Sequence, residues 1–204
     1  MMIRLRPILA ALALALAPVL AGPASAQQLS LAEVSNYLNE MQTAQGGFTQ
    51  INADGTISTG TLYIKRPGRV RFEYAPPEQS LVVAGGGQVA IFDPRSNTGP
   101  DRYPLNQTPL NIILERNVDL TRAEMVTGHT SDGTTTTITA QDPANPEYGS
   151  IQMVFTAAPV ELRQWIVTDD AGGQTTVVLD GLTTGGQIGD ILFNIQAEMA
   201  NWGN

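Results

Sequence analysis

The sequence contains no cysteine and a single histidine, His129. Without thiols there can be no disulfide, thiolate metal site, cysteine nucleophile or lipid anchor on sulfur. One imidazole cannot build a histidine metal cluster, and it pairs with no legible serine and acid as a catalytic set. Basic charge is scarce too. Eleven Lys+Arg face 19 Asp+Glu, a formal net charge of −8, and no basic run exceeds Lys65-Arg66. A nucleic-acid groove is therefore not expected. No nucleophile–base pair is visible, so the expectation is a protein that is not an enzyme and needs no metal or cofactor. What remains is a chain of 204 residues, 42% hydrophobic, enough to build one core.

The beginning of the chain reads as an address. Arg4 and Arg6 precede an apolar run from Ile8 to Leu20, interrupted by Pro18, and Ala24-Ser25-Ala26 supplies small residues at a cleavage site. This pattern predicts a secretory signal peptide over residues 1–26, removed after Ala26. The apolar run is shorter than the roughly 20 residues of a spanning helix, and no later stretch is longer. Loss of both arginines leaves 9 basic against 19 acidic residues, a formal −10. Gln27 stands where a lipoprotein would carry its cysteine. The expected product is one soluble, exported domain over 27–204.

Ser30-Leu31-Ala32-Glu33 is a capping-box pattern, and Leu31, Val34, Leu38 and Met41 follow at helical spacing. Gly46-Gly47 is read as the end of that helix. Thereafter the period changes to two. Leu62 and Ile64 share a face, as do Val70, Phe72 and Tyr74, with Arg69, Arg71 and Glu73 alternating. Val89 and Ile91, then Ile151, Met153 and Phe155, then Trp165 and Val167, then Val177 and Leu179 repeat the pattern. Turn signals such as Asp54-Gly55, Pro76-Pro77 and Gly172-Gly173 separate about ten or eleven strands, consistent with an antiparallel meander. Thr108-Pro109 predicts a second helix over Leu110–Arg116 whose apolar face is Leu110, Ile113 and Leu114. Residues 195–202 suggest a weak third helix or a frayed end. A sheet with one apolar face needs a cover, and two short helices cover only part of it. Either a lipid-holding cup or an ordinary filled barrel satisfies this pattern.

Among single residues Arg66 says most. It shares the parity of Leu62 and Ile64, so its guanidinium starts on the apolar side. There it either finds backbone carbonyls of a covering helix or leaves for water as the chain turns at Pro67. Gly85-Gly86-Gly87 lacks the Gly-Lys-Ser/Thr of a phosphate loop and reads as a hairpin turn. Asp93 and Asp169-Asp170 lie beside turn residues without calcium-loop spacing.

Gly47-Phe48-Thr49-Gln50, then Gly60 to Gly68 with its Lys65-Arg66-Pro67 centre, then Arg71-Phe72-Glu73-Tyr74 resemble the periplasmic outer-membrane lipoprotein carrier family, LolA. The likeness continues through Pro77 to Val83, Ile91-Phe92-Asp93-Pro94 and Thr108-Pro109-Leu110. Departures include Phe72 where tryptophan is common, Ala90 where an aromatic residue is frequent, and a tail over 194–204 without the usual proline-containing ending.

The resemblance implies a mainly β fold: an unclosed antiparallel β-barrel of about 11 strands, with short α-helices forming a lid over an apolar cavity. Arg66 would latch the lid. Leu31, Val34, Leu38, Leu110, Ile113 and Leu114 would face inward from its helices. Leu62, Ile64, Val70, Phe72, Tyr74, Val89, Ile91, Met153, Phe155 and Trp165 would line the acyl-chain cavity. The implied activity is that of a periplasmic, monomeric carrier. It receives lipoproteins from an inner-membrane ABC transporter and delivers them to the outer membrane, commonly through a receptor lipoprotein. A carrier or sensor of another periplasmic lipid, glycolipid or phospholipid, on the same fold is the alternative.

Overall fold

The computed structural model describes residues 27–122 and 124–202; the expected signal peptide over 1–26 lies outside them. Eleven antiparallel strands form one sheet. They are Thr43–Ile51 (β1), Ile57–Lys65 (β2), Arg69–Tyr74 (β3), Leu81–Gly85 (β4), Gln88–Phe92 (β5), Asp101–Pro104 (β6), Val126–Ser131 (β7), Thr135–Gln141 (β8), Ser150–Ala157 (β9), Val160–Thr168 (β10) and Gln174–Thr184 (β11). The order β6-β5-β4-β3-β2-β1-β11-β10-β9-β8-β7 joins two meanders through the pairing of β1 with β11. β6 and β7 do not pair with each other, so the barrel is unclosed. The α-helices are Leu31–Glu40 (α1), Asn111–Leu114 (α2) and Ile195–Asn201 (α3).

The capping box forms at α1. Ser30 Oγ accepts from the Glu33 amide at 3.2 Å, and the Glu33 carboxylate accepts from the Ser30 amide at 2.7 Å. Its other end corrects the sequence reading, because α1 stops at Glu40 and Gly46-Gly47 lie inside β1. These glycines serve strand packing instead. The β1–β11 register shifts between Gln45 and Gly47, and a Cβ on Gly46 would sit 2.6 Å from the Gly181 carbonyl oxygen.

The second helix is likewise shorter than Leu110–Arg116. Thr108 Oγ1 donates to the Leu105 carbonyl at 2.8 Å, closing the preceding 3-10 turn rather than capping α2. Glu115 adopts an extended ψ of 151° and ends the helix. α3 is real, with Asn194 Oδ1 accepting from the Ala197 amide at 3.1 Å as its N-cap. Between β4 and β5, Gly86 and Gly87 both have positive φ, as a two-residue type I′ hairpin requires.

Alternation separates two apolar faces. Register places Ile64, Val70, Ala84 and Val89 in one row, and Leu62, Phe72, Val82 and Ile91 in the next. These rows face the concavity. There Phe48 meets Phe72 and Tyr74 edge-on at 5.3 and 5.1 Å, and Phe72 meets Trp165 at 6.2 Å. The other parity carries Leu81, Val83, Ala90 and Phe92 to the convex face, where Ile195 of α3 covers them.

The concave core is filled by Val34 and Leu38 of α1, by Ile112, Ile113 and Leu114 of α2, and by Val118, Leu120 and Met125 between α2 and β7. Each large side chain so buried contributes about 1.5–3 kcal/mol.

Gly46→Ala is expected to lower unfolding stability by about 1–3 kcal/mol, because the added methyl overpacks the β1–β11 seam. Urea denaturation measures this, and an unchanged midpoint would contradict the close-approach role.

Candidate functional site

Arg66 leaves the end of β2 beneath the two covering helices and is only 4% exposed. Of the two fates open to it in the sequence, contact with helix carbonyls is the one observed. One terminal nitrogen donates to the Leu38 carbonyl in the last turn of α1. The other donates to the Glu115 carbonyl just beyond α2, and to Asn39 Oδ1 at 3.2 Å. The last carbonyls of a helix lack intrahelical donors and carry partial negative charge, so a cation suits both places.

The surrounding backbone ties the same elements together. The Arg66 amide donates to the Gln42 carbonyl and the Gly68 amide to the Leu114 carbonyl, each at 2.8 Å. Asn39 Nδ2 donates to the Val118 carbonyl at 2.8 Å, and the Val118 amide returns a bond to Asn39 Oδ1 at 2.9 Å.

Burial pulls the Arg66 guanidinium below its ordinary pKa, while the Glu115 carboxylate opposes that shift. The group remains a cation at any physiological pH. Its Nε is nevertheless buried without a hydrogen-bond partner, the one such side-chain nitrogen or oxygen among the described residues.

Further polar contacts fasten α1. Ser35 Oγ accepts from the Leu120 amide at 3.0 Å and donates to the Leu31 carbonyl at 2.7 Å. The Tyr37 hydroxyl accepts from the Leu162 amide at 3.2 Å on β10, and burial raises its pKa. The sequence reading passed over Ser35 and Asn39. Their i, i+4 spacing beside Val34 and Leu38 is the signal that marks them, a polar pair on the edge of an apolar stripe.

Eight of the ten expected lining residues, Leu62, Ile64, Val70, Phe72, Val89, Met153, Phe155 and Trp165, are buried in one concave cluster. Tyr74 is half-buried, donates to Gln50 Oε1 at 2.7 Å, and has its pKa pushed up to about 12, chiefly by burial. Ile91 stands apart at the rim, 38% exposed, although its register gives it the concave face.

Of the helix residues, Val34, Leu38, Ile113 and Leu114 are buried, while Leu31 and Leu110 are half-buried against the core. Ile112, Val118, Leu120 and Met125 also join the cover and were missed: Ile112 lies off the apolar face read for the second helix, and the other three fall where the sequence has no periodic pattern. Beside α2 a crevice of about 290 Å³ is floored by Ile112 and Met125. The Arg122–Glu115 ion pair, at 3.3 Å, lines it.

Asp93 and Asp169 each bind their own turn. Asp93 Oδ1 accepts from the Arg95 amide and Asp169 Oδ1 from the Gly173 amide, at 2.8 and 2.7 Å. Among the described residues no three His, Asp or Glu side chains converge as metal ligands.

Asn39→Ala removes three of the bonds joining α1 to Arg66 and Val118. The Val118 amide is then expected to exchange with solvent at least about tenfold faster, since each lost bond is worth ~1 kcal/mol. Amide exchange followed by NMR checks this, and an unaltered Val118 rate would contradict the arrangement.

Comparison with known proteins places the chain. Residues 39–196 match the family model of the outer membrane lipoprotein carrier protein LolA. An outer-membrane lipoprotein carrier protein from Xylella fastidiosa is 33% identical over 120 residues, 55% of this chain and 54% of that protein. One from Pseudomonas putida is 25% identical over 184 residues, 83% of each. Across four relatives including that of Xylella, the match spans only 31% to 54% of their length. A putative outer membrane lipoprotein-sorting protein domain from Vibrio parahaemolyticus aligns with a TM-score of 0.49 at 10% identity, covering 83% of this chain and 97% of that one. With the family model covering most of its length, the chain belongs to the LolA family of outer membrane lipoprotein carrier proteins.

Proposed function

We propose that this chain is a periplasmic carrier that shelters the acyl chains of lipoproteins between the inner and outer membranes. In this reading residues 1–26 are a signal peptide cleaved after Ala26, and 27–204 form one carrier domain. The observation that carries it is the concave apolar face, covered by α1 and α2 and fastened by a buried Arg66 that bonds to both. The covering helices occupy the space that acyl chains need, so loading requires α1 and α2, with Val118 and Leu120, to move outward together. The crevice floored by Ile112 and Met125 is where a first chain starts that movement.

Energetics sets the direction of transfer. At about 0.8 kcal/mol per buried CH₂, full burial of three long chains reaches tens of kcal/mol. Non-covalent affinity saturates near 18–21 kcal/mol, so shelter is partial. Re-forming the helix cover and the Arg66 bonds offsets the loss of acyl contacts and favours hand-over. Extraction from the inner membrane then draws on an ATP-driven transporter, and delivery ends at the outer membrane or a receptor lipoprotein there. No step requires a catalytic group.

Mature protein incubated with spheroplasts making a labelled outer-membrane lipoprotein is expected to bring that cargo into the soluble fraction as a stoichiometric complex. Cargo that stays membrane-bound, while the purified protein holds a glycolipid or phospholipid instead, would overturn the assigned cargo and favour carriage of another lipid.

Arg66→Leu is expected to load but deliver several-fold less, so that the soluble complex accumulates. Equal delivery by variant and wild type would remove the latch role. Ile91→Thr, at the exposed rim, keeps the β-branched shape and is expected to change stability by about 1 kcal/mol or less yet reduce cargo capture several-fold. Undiminished capture would place the acyl chains elsewhere.

A further inference from the structure

The C-terminal segment packs on the convex face behind the turn that carries Arg66. Lys65 Nζ donates to the Ile188 carbonyl at 2.7 Å and pairs with Asp190 Oδ1 at 2.6 Å. Arg69 reaches the same carboxylate oxygen at 2.6 Å, and its Nε donates back to the Lys65 carbonyl at 3.2 Å. One carboxylate thus gathers both cations flanking Arg66-Pro67-Gly68, and the Arg69 bond to the Lys65 carbonyl ties the two ends of that turn.

Asp190 itself is exposed, but the chain beyond it is firmly seated. Arg71 donates to the Leu192 carbonyl at 2.9 Å and pairs with Glu198 of α3 at 2.7 Å. Gly85 gives Phe193 its seat, since a Cβ there would lie 2.1 Å from the Phe193 carbonyl oxygen. Trp202 packs on Phe92 at 5.0 Å. A guanidinium that must reach two helices at once needs its own backbone fixed within about half an ångström.

We propose that Asp190 is a positioning residue for Arg66. Clamped to the convex face, residues 188–202 act as a brace that holds Lys65 and Arg69, fixes the turn between them, and so sets how readily the helices on the other face of the sheet are released. The inference rests on the lid reading above, and it gives the unusual tail a place in the same device.

The test is amide exchange in the full mature protein without lipid, comparing Gly68, bonded to Leu114 across the lid, with Met153 in the distant β9. In low salt, Asp190→Asn is expected to speed exchange at Gly68 about fivefold and leave Met153 unchanged, the scale set by loss of two exposed ion pairs. Asp190→Glu is expected to restore protection. Salt at 1 M shortens the Debye length to about 3 Å, so it should bring wild type to the variant's rate while the variant itself does not respond. Arg163→Ala, which breaks the exposed pair with Glu161, should change neither amide. An unaltered Gly68 rate in Asp190→Asn, or equal acceleration at Gly68 and Met153, would overturn the brace.

Capture of a synthetic triacylated lipopeptide by the same proteins separates the two claims. Capture by both proteins with unaltered Gly68 exchange removes the brace and keeps the carrier. Altered exchange with no capture by either keeps the brace and removes the carrier.

Discussion

A buried guanidinium must be answered by acceptors, and in this chain the acceptors belong to two different helices. That single constraint organises the molecule. Arg66 starts on the apolar side because β-strand parity puts it there, and the Leu38 and Glu115 carbonyls come to it because helix ends have carbonyls to spare. Asn39 then links α1 to Val118, and Ser35 links it to Leu120. The described residues between β6 and β7 are thereby held over the concavity, although only four of them are α-helical. The bonds are polar and few, while the area they control is apolar and large.

The imbalance suits reversible cover. A core held only by side-chain interdigitation opens cooperatively or not at all, because close-packed interiors resist partial displacement. Here the covering elements share one charged fastening, Arg66. The aromatic floor of Phe48, Phe72 and Trp165 belongs to strands β1, β3 and β10 and not to the covering helices. The convex face does the opposite. Its smaller cluster is closed by α3 and by ion pairs to Lys65, Arg69 and Arg71, on the two strands that flank the Arg66 turn.

Much of this was legible in the sequence, for identifiable reasons. Period-two alternation from Leu62 to Leu179 carried the sheet, and the capping box carried the start of α1. Parity placed Arg66 on the apolar side without deciding what it met there. The misreadings share a cause. Gly46-Gly47 and Thr108 are local signals whose roles were set by tertiary partners, Gly181 across the β1–β11 seam and Leu105 in a 3-10 turn. Val118, Leu120 and Met125 were invisible because a loop pressed onto a core has no period. The tail gave only weak helical spacing, since its anchors Asp190, Arg71 and Gly85 are scattered over more than a hundred positions.

The absence of cysteine makes the central claim directly measurable, because two introduced thiols can be spin-labelled without competition. Labels at Asn117, exposed just beyond α2, and Arg163, exposed on β10, report the separation of the cover from the sheet. Pulsed dipolar spectroscopy with a bound triacylated lipopeptide should show that distance lengthened by several ångströms, and Arg66→Leu should populate the longer distance even without lipid. Lipopeptide bound at unit stoichiometry with the distance unchanged would contradict an opening lid, and with it the account of how this fold carries its cargo.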